Sequence, residues 1–264
     1  MNLGLQNKTA VVTGSTAGIG FAIASTLAEE GASVVLSGRT EARVNFALER
    51  IRKGNKSADV RGFYADLGTA EGVEAFLRQV PETDILVNNL GIFEIKPLLE
   101  IPDADWLRFF EVNVLSGVRL SRHYLPRMLK KKWGRIIFIS SESGQQTPPE
   151  MVHYGMTKTA QIAVAKGIAE SFPASGVTVN SVLVGPTSSE GVETFVDSIA
   201  KQKGITAADV EKDFFQNVRP SSLLKRFETP EEIAAIVAFI ASEQASAITG
   251  AAVPADGGVI RSIL

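Results

Sequence analysis

The chain of 264 residues contains no cysteine, which excludes disulfides, thiolate metal sites and cysteine nucleophiles and fits a reducing compartment. Its only two histidines, His123 and His153, are too few for a histidine-built metal centre, and no metal is expected. No apolar run approaches the roughly 18 residues of a membrane span. The opening residues Met1-Asn2-Leu3-Gly4-Leu5-Gln6-Asn7-Lys8 also lack the apolar stretch of a signal peptide. The expectation is a cytoplasmic protein without a membrane partner. Excess positive charge is missing too: the formal net charge is −2, which argues against a nucleic acid held by bulk electrostatics. There is no repeat, no low-complexity tract and no Pro/Gly/Ser-rich linker.

What is present is core material, with 45% hydrophobic and 21% charged residues. Short β-rich apolar runs alternate with helical patterns, the signature of βαβ units and a parallel sheet. Strands are predicted at residues 9–13, 33–37, 60–64, 85–88, 135–140, 178–184 and 251–254. Several are continuously apolar, as befits strands buried on both faces. Helices are predicted at 21–30, 41–53, 70–80, 105–131, 152–172 and 230–242. Thr229-Pro230-Glu231-Glu232 supplies a hydroxyl cap, a first-position proline and first-turn acids. The fold class expected is a single α/β domain over residues 1–264, a Rossmann-type doubly wound fold with a seven-stranded parallel sheet flanked by helices. Residues 186–228 break the rhythm with helical pieces at 191–202 and 207–217. Beyond a strand's carboxyl end, such an excursion suits a substrate lid; it can equally be a surface loop of no consequence.

Thr13-Gly14-Ser15-Thr16-Ala17-Gly18-Ile19-Gly20 follows an apolar strand and opens a helix. Glycines there let backbone approach a pyrophosphate, and the helix N-terminus offers unpaired N–H groups to it. The G-x-x-x-G-x-G spacing differs from the G-x-G-x-x-G fingerprint, but strand, loop and helix come in the required order. At the end of the second strand an acid would select NAD and an arginine NADP. The chain reads Ser37-Gly38-Arg39-Thr40, with no carboxylate and with Arg39, Ser37 and Thr40 placed to cradle a 2′-phosphate. NADP(H) is therefore preferred over NAD(H), although Arg39 can also be a solvated charge at a helix start.

Tyr154 and Lys158 lie four apart on a predicted helix and share one face. Lysine within reach is expected to lower the phenol's pKa from about 10 by about 1–3, making it a usable proton donor and acceptor. Taken alone, such a pair can be an exposed tyrosine and a solvated lysine. Ser141, thirteen residues before Tyr154, ends the fifth predicted strand.

Together these segments resemble the short-chain dehydrogenase/reductase family, nearly end to end. The motifs stand in the family's order: residues 13–20, Asp66, Asn88-Asn89-Leu90-Gly91, Asn113, Ser141, Tyr154-x-x-x-Lys158 and Asp256-Gly257-Gly258. The resemblance implies reversible hydride transfer between NADP(H) and a carbonyl or secondary alcohol. It assigns Tyr154 as general acid/base, Ser141 as the carbonyl-orienting residue, and Lys158 to the phenol and the nicotinamide ribose. Asn113 would hold the water that relays protons to Lys158. Asp66 would contact adenine, and Asn89 would close the adenosine side. The implied cofactor-binding set is Gly14, Ser15, Thr16, Gly18, Ile19, Gly20, Ser37, Arg39, Thr40, Asp66, Leu67, Asn89, Gly91, Tyr154, Lys158, Gly185 and Ser189. Asp66 can also simply start the turn Asp66-Leu67-Gly68.

Two departures from the family pattern bear on the pocket: Leu90 where alanine is usual, and Val184-Gly185-Pro186, with Ser189 in place of a threonine. Expected pocket walls are Phe93, Glu94, residues 142–151 and the lid from Ser188, with Val192, Phe195, Phe214 and Phe215 as an apolar cover. No arginine cluster marks a carboxylate site, so an uncharged, medium-sized carbonyl or alcohol is expected. A 3-oxoacyl thioester reductase and a dinucleotide-sensing protein without chemistry are the alternatives. The family also implies a homotetramer or homodimer built on helices 105–131 and 152–172.

Overall fold

Successive strand residues point to opposite faces, and in this protein both faces are apolar. The computed structural model describes residues 2–263, and of Phe195 only the backbone; the cover expected of the Phe195 side chain lies outside the described residues. Seven strands form the sheet: β1 (Thr9–Val12), β2 (Ser33–Gly38), β3 (Val60–Tyr64), β4 (Ile85–Asn88), β5 (Gly134–Ser141), β6 (Val177–Val184) and β7 (Ala252–Ala255). Each end falls within one residue of its sequence prediction. All pairings are parallel, in the order β3-β2-β1-β4-β5-β6-β7.

Ala10, Val12, Val34, Leu36, Ile137 and Ile139 join one core with α1 (Gly18–Glu29), α2 (Glu41–Gly54) and α9 (Pro230–Ala241). Their sequence neighbours Val11, Val35, Ile136 and Phe138 join a second core on the opposite face with α3 (Ala70–Gln79) and the helix Ser116–Lys131. Burying each such side chain contributes about 1.5–3 kcal/mol, which the two-sided sheet collects on both faces. The strand order reverses between β1 and β4. A crevice opens at the carboxyl ends there, which is where such sheets bind ligands.

The expected helix over 105–131 is not continuous. It consists of α4 (Asp103–Phe110), a π-helical turn over Glu111–Leu115 and α5 (Ser116–Lys131). The wide turn coincides with Asn113, whose side chain bonds the chain after β4 at both its ends (Ile92 N–H to Oδ1, 2.8 Å; Nδ2 to Ile92 O, 3.0 Å). Such turns interrupt α-helices where a local demand outweighs ladder regularity. Next comes α6 (Val152–Ser171), packed on β5 and β6. Thr229 caps α9 in a reciprocal capping box with Glu232, as the sequence suggests.

The excursion after β6 contains α7 (Glu190–Lys203), α8 (Ala207–Asp213) and a second π turn, Phe214–Val218. Its ends are clasped by a parallel bridge between Thr187 and Glu228, with Ser188 N–H donating to Glu228 O and Glu228 N–H to Pro186 O. Phe215 is buried, and Phe214 and Phe215 stack with Phe227 at centroid distances of 5.1–5.3 Å. These two rings, expected as a cover over substrate, form the excursion's own small core instead.

Candidate active site

The glycine loop turns from β1 into α1 at Ala17, where no side chain caps the helix, so the first-turn N–H groups are left for a ligand. A Cβ on Gly20 would lie 2.5 Å from Gly14 O and 2.4 Å from Asn89 Nδ2, so only glycine permits this approach. Asn89 donates to the carbonyls of Thr13 (2.8 Å) and Gly14 (3.2 Å) and holds the loop shut from behind. The leucine at position 90 sits beside the loop, with Cδ1 3.6 Å from a Cβ on Gly14, and packs on the second core.

Several residues of the expected cofactor set face inward. Ser15 donates to Val12 O (2.7 Å) and accepts from Ser37 N–H (2.9 Å); Ser37 Oγ accepts from Gly14 N–H (3.1 Å). Both serines are buried, so their hydroxyls brace the loop against β2, and the phosphate cradle expected of Ser37 is a correction. Arg39 and Thr40 are exposed at the end of β2, and Thr40 caps α2. The side chain of Leu67 lies in the second core. The Asp66 carboxylate accepts from Gly68 N–H at 3.0 Å, the local turn foreseen as its alternative role.

A cleft of about 800 Å³ runs between the glycine loop (Thr16, Ala17, Gly18), α2 (Arg43, Phe46, Arg50) and the start of the excursion after β6 (Ser188, Ser189, Glu190). The residues hold the features a dinucleotide demands: an open helix N-terminus, a loop without side chains and nearby guanidinium groups. Where α7 begins, the excursion rests on the loop. A Cβ on Gly18 would lie 3.3 Å from Ser189 Cβ, and one on Gly191 3.7 Å from Phe93 Cζ. The Ser189 hydroxyl caps α7 (3.5 Å to Val192 N). Gly185 is wedged against Glu228 and Asp256, its N–H donating to Ala255 O.

Ser141, Tyr154 and Lys158 are brought together where β5 ends and α6 begins. Ser140, the neighbouring hydroxyl, is tied to Lys158 O at 2.8 Å, and Ser141 and Ser143 both reach Glu142; of the three, Ser141 is the one that bonds the Tyr154 phenol. Lys158 Nζ is buried, donates to Ile139 O (2.9 Å) and Gln161 Oε1 (3.2 Å), and lies 5.5 Å from the Tyr154 ring centroid. Burial holds its pKa down at about 8, against an opposing pull from Glu142. Tyr154 departs from expectation. Desolvation first, then the Glu142 charge, push its phenol above the ordinary range, outweighing Ser141 and Arg219, which favour the phenolate. The expected lowering by Lys158 is therefore overturned: the ammonium is committed to other acceptors.

Gly91 lies against both Asn113 and Lys158, a Cβ there meeting Lys158 Nζ at 3.6 Å. Asn113 Nδ2 also donates to Thr157 Oγ1 at 3.0 Å. Gln161 was not foreseen. Its Nε2 donates to Asn113 O at 2.6 Å while its Oε1 accepts from Lys158, so an amide side chain spans the gap for which a relay water was expected. Glu142 and Arg219 were also missed. Both are buried, and Arg219 Nε donates to Glu142 Oε1 at 2.9 Å, while Nη1 reaches Glu150 at 3.1 Å. No spacing signal marks a contact 77 residues apart.

His153, next to Tyr154, turns away between Trp106 and Phe109, with its ring nitrogens unpartnered. Burial lowers its pKa and keeps it neutral. Among the described residues there is no cluster suited to a metal and no helix long and apolar enough to cross a membrane.

Comparison with known proteins agrees with this architecture. Residues 14–260 match a family model described as enoyl-(acyl carrier protein) reductase. The uncharacterized oxidoreductase YvaG of Bacillus subtilis is 49% identical over all of both chains, and the D-beta-hydroxybutyrate dehydrogenase of Rhizobium meliloti is 35% identical over 96% of this chain and 98% of the relative. The crystal structure of L-sorbose reductase from Gluconobacter frateurii, complexed with NADPH and L-sorbose, superposes with a TM-score of 0.93 at 31% identity, covering both chains fully. Sheet order, glycine loop and end-to-end similarity thus make the chain a member of the short-chain dehydrogenase/reductase family, oxidoreductases acting on CH–OH and C=O groups.

Proposed function

We propose that this protein is an NADPH-dependent reductase, working reversibly, of uncharged ketones that carry hydroxyl groups. The observation that carries the reading is the meeting of Ser141, Tyr154 and Lys158 at one end of β5 and α6, next to a glycine loop open for a dinucleotide. The loop residues 14–20 would hold the diphosphate, and Arg39 with Thr40 the 2′-phosphate; a Cβ on Gly38 would strike Thr16 Cγ2 at 2.5 Å, so an NAD-type acid has no room there. When bound, the nicotinamide supplies the hydride.

The protein's own part is proton management. Ser141 and Tyr154 hold the carbonyl oxygen, and Tyr154, kept protonated by its surroundings, gives up its proton as alkoxide charge develops. Lys158, fixed by Ile139 O and Gln161, then faces the phenolate as a positive charge. Asn113 fixes the chain at Ile92 on the pocket floor.

The substrate class follows from charge. Arg219 is matched by Glu142 and Glu150, and with Lys158 counted the four groups balance, so the site has no surplus positive charge to hold a carboxylate. The match to an L-sorbose reductase along its whole length supports a hydroxylated ketone. NADPH and NADH oxidation should be followed with L-sorbose, a keto sugar acid and a 3-oxoacyl thioester. Preference for the neutral ketose with NADPH is expected; faster turnover of the sugar acid or the thioester overturns the substrate reading, and NADH preference overturns the cofactor reading. Tyr154→Phe should reduce turnover by at least about 10²–10⁴-fold with NADPH affinity intact; near-normal activity would refute its role.

The cytoplasm and a homo-oligomer remain part of this reading. Leu98 and Leu99, in the turn before α4, and Leu107, on α4, are exposed and offer an apolar face that a second copy would cover. Sedimentation tests it, and a monomer would count against it.

A further inference from the structure

Beside the reacting groups lies a buried charge pair, Glu142 and Arg219. Glu142 occupies the tight turn directly after Ser141 and is 4% exposed. A lone carboxylate in such a place is costly, yet every side of this one is engaged. Oε2 accepts from Ser141 Oγ and from Ser143 Oγ, and Oε1 from Arg219 Nε at 2.9 Å. Ser141 Oγ accepts in turn from Ser143 N–H at 3.1 Å. The Ser141 oxygen is thus fixed between Glu142 and the turn, and to hold a carbonyl oxygen its single proton turns from Glu142 to that oxygen. Arg219 comes from the far end of the lid and is 8% exposed.

We propose that Glu142 and Arg219 act together as positioning residues, fixing the Ser141 hydroxyl and tuning Tyr154 as a proton donor through two opposed charges. The inference rests on the reading of Tyr154 as the acid of the reaction. The charged groups that face Tyr154 come from three elements: Glu142 from the turn after β5, Arg219 from the lid and Lys158 from α6 itself. His153 is directed away and neutral. Glu142 strengthens the phenol's hold on its proton, and Arg219 weakens it. Because Arg219 belongs to the lid, displacing the lid removes the loosening charge and leaves the tightening one. Proton release from Tyr154 is thereby tied to a seated lid.

The test is a tyrosinate titration by ultraviolet absorbance, read as the difference between each protein and the same protein carrying Tyr154→Phe. At a fixed alkaline pH, Glu142→Gln should raise the ionised-to-neutral ratio of Tyr154 about tenfold, and Arg219→Gln should lower it. Arg219→Lys, which keeps the charge, should stay near wild type. A merely structural pair predicts one direction for both neutralised variants, since loosened packing admits water and favours ionisation in each. Shifts of the same sign, or none, overturn the proposal. Should Glu142→Gln fail to fold by circular dichroism, Arg219→Gln decides: a lower ratio supports the proposal, and an unchanged or higher ratio overturns it. The titration needs no substrate and no turnover. Its failure is therefore separate from failure of the proposed function, which is read from NADPH oxidation.

Discussion

Lys158 is a buried ammonium, 5% exposed, and replacing it with methionine gives a sharp stability test. The side chains are similar in length, so packing is largely kept while the charge goes. Burial lowers the folded-state pKa from 10.5 to about 8. Below about pH 8 both folded and unfolded chains carry the proton, and this group leaves stability flat with pH. Between about 8 and 10.5 the folded protein has released the proton while the unfolded chain still holds it, so the unfolded state binds more protons and stability rises. At about 1.4 kcal/mol per pH unit, the gap corresponds to about 3 kcal/mol. The methionine variant lacks this contribution and shares every other titrating group. Urea unfolding of both proteins from about pH 7 to about pH 11 should give a wild-type-minus-variant difference that climbs by about 3 kcal/mol and then levels. A flat or falling difference would refute the account of Lys158 as a desolvated cation.

Gln161→Leu removes the amide that links Asn113 O to Lys158 Nζ and leaves buried polar groups short of partners. A loss of about 2–4 kcal/mol in urea unfolding is expected, with a fall in kcat, and unchanged stability would show the bridge to be incidental. Arg39→Ala should raise the KM for NADPH about 10–100-fold, the weight of one or two charge-assisted bonds, while leaving NADH kinetics unaltered; equal effects on both cofactors would sink the 2′-phosphate assignment.

The central strands were legible because they are buried on both faces, so an apolar run such as Ile136-Ile137-Phe138-Ile139 lacks the polar face of an amphipathic helix. The helix start at Thr229 was legible through capping chemistry, which is local, whereas Thr40, read as part of a phosphate cradle, turns out to cap α2. What was hidden depends on contacts distant in sequence. The π turn at Asn113 answers to Ile92, the Gln161 amide to Asn113 on that turn, and Arg219 to a glutamate 77 positions away. Side-chain direction was hidden too: nothing in Ser15 or Ser37 as letters says that their hydroxyls brace the loop rather than face the cleft. The phenol of Tyr154 shows the same limit, since pairing with Lys158 could be read from the spacing, but burial and Glu142 could not.

The clasp between Thr187 and Glu228 has a bearing on how such a protein can diversify. Because the two ends of the excursion meet beside the sheet, the intervening chain is a closed cassette whose length is set by loop entropy rather than by strand spacing. Doubling such a loop costs only about 0.6 kcal/mol. Insertions, deletions or wholesale grafts between the clasped ends can thus reshape the chain that borders the cleft while β6, β7 and the glycine loop keep their register. New specificities become accessible by exchanging one segment, provided the exchanged piece still returns an arginine to Glu142.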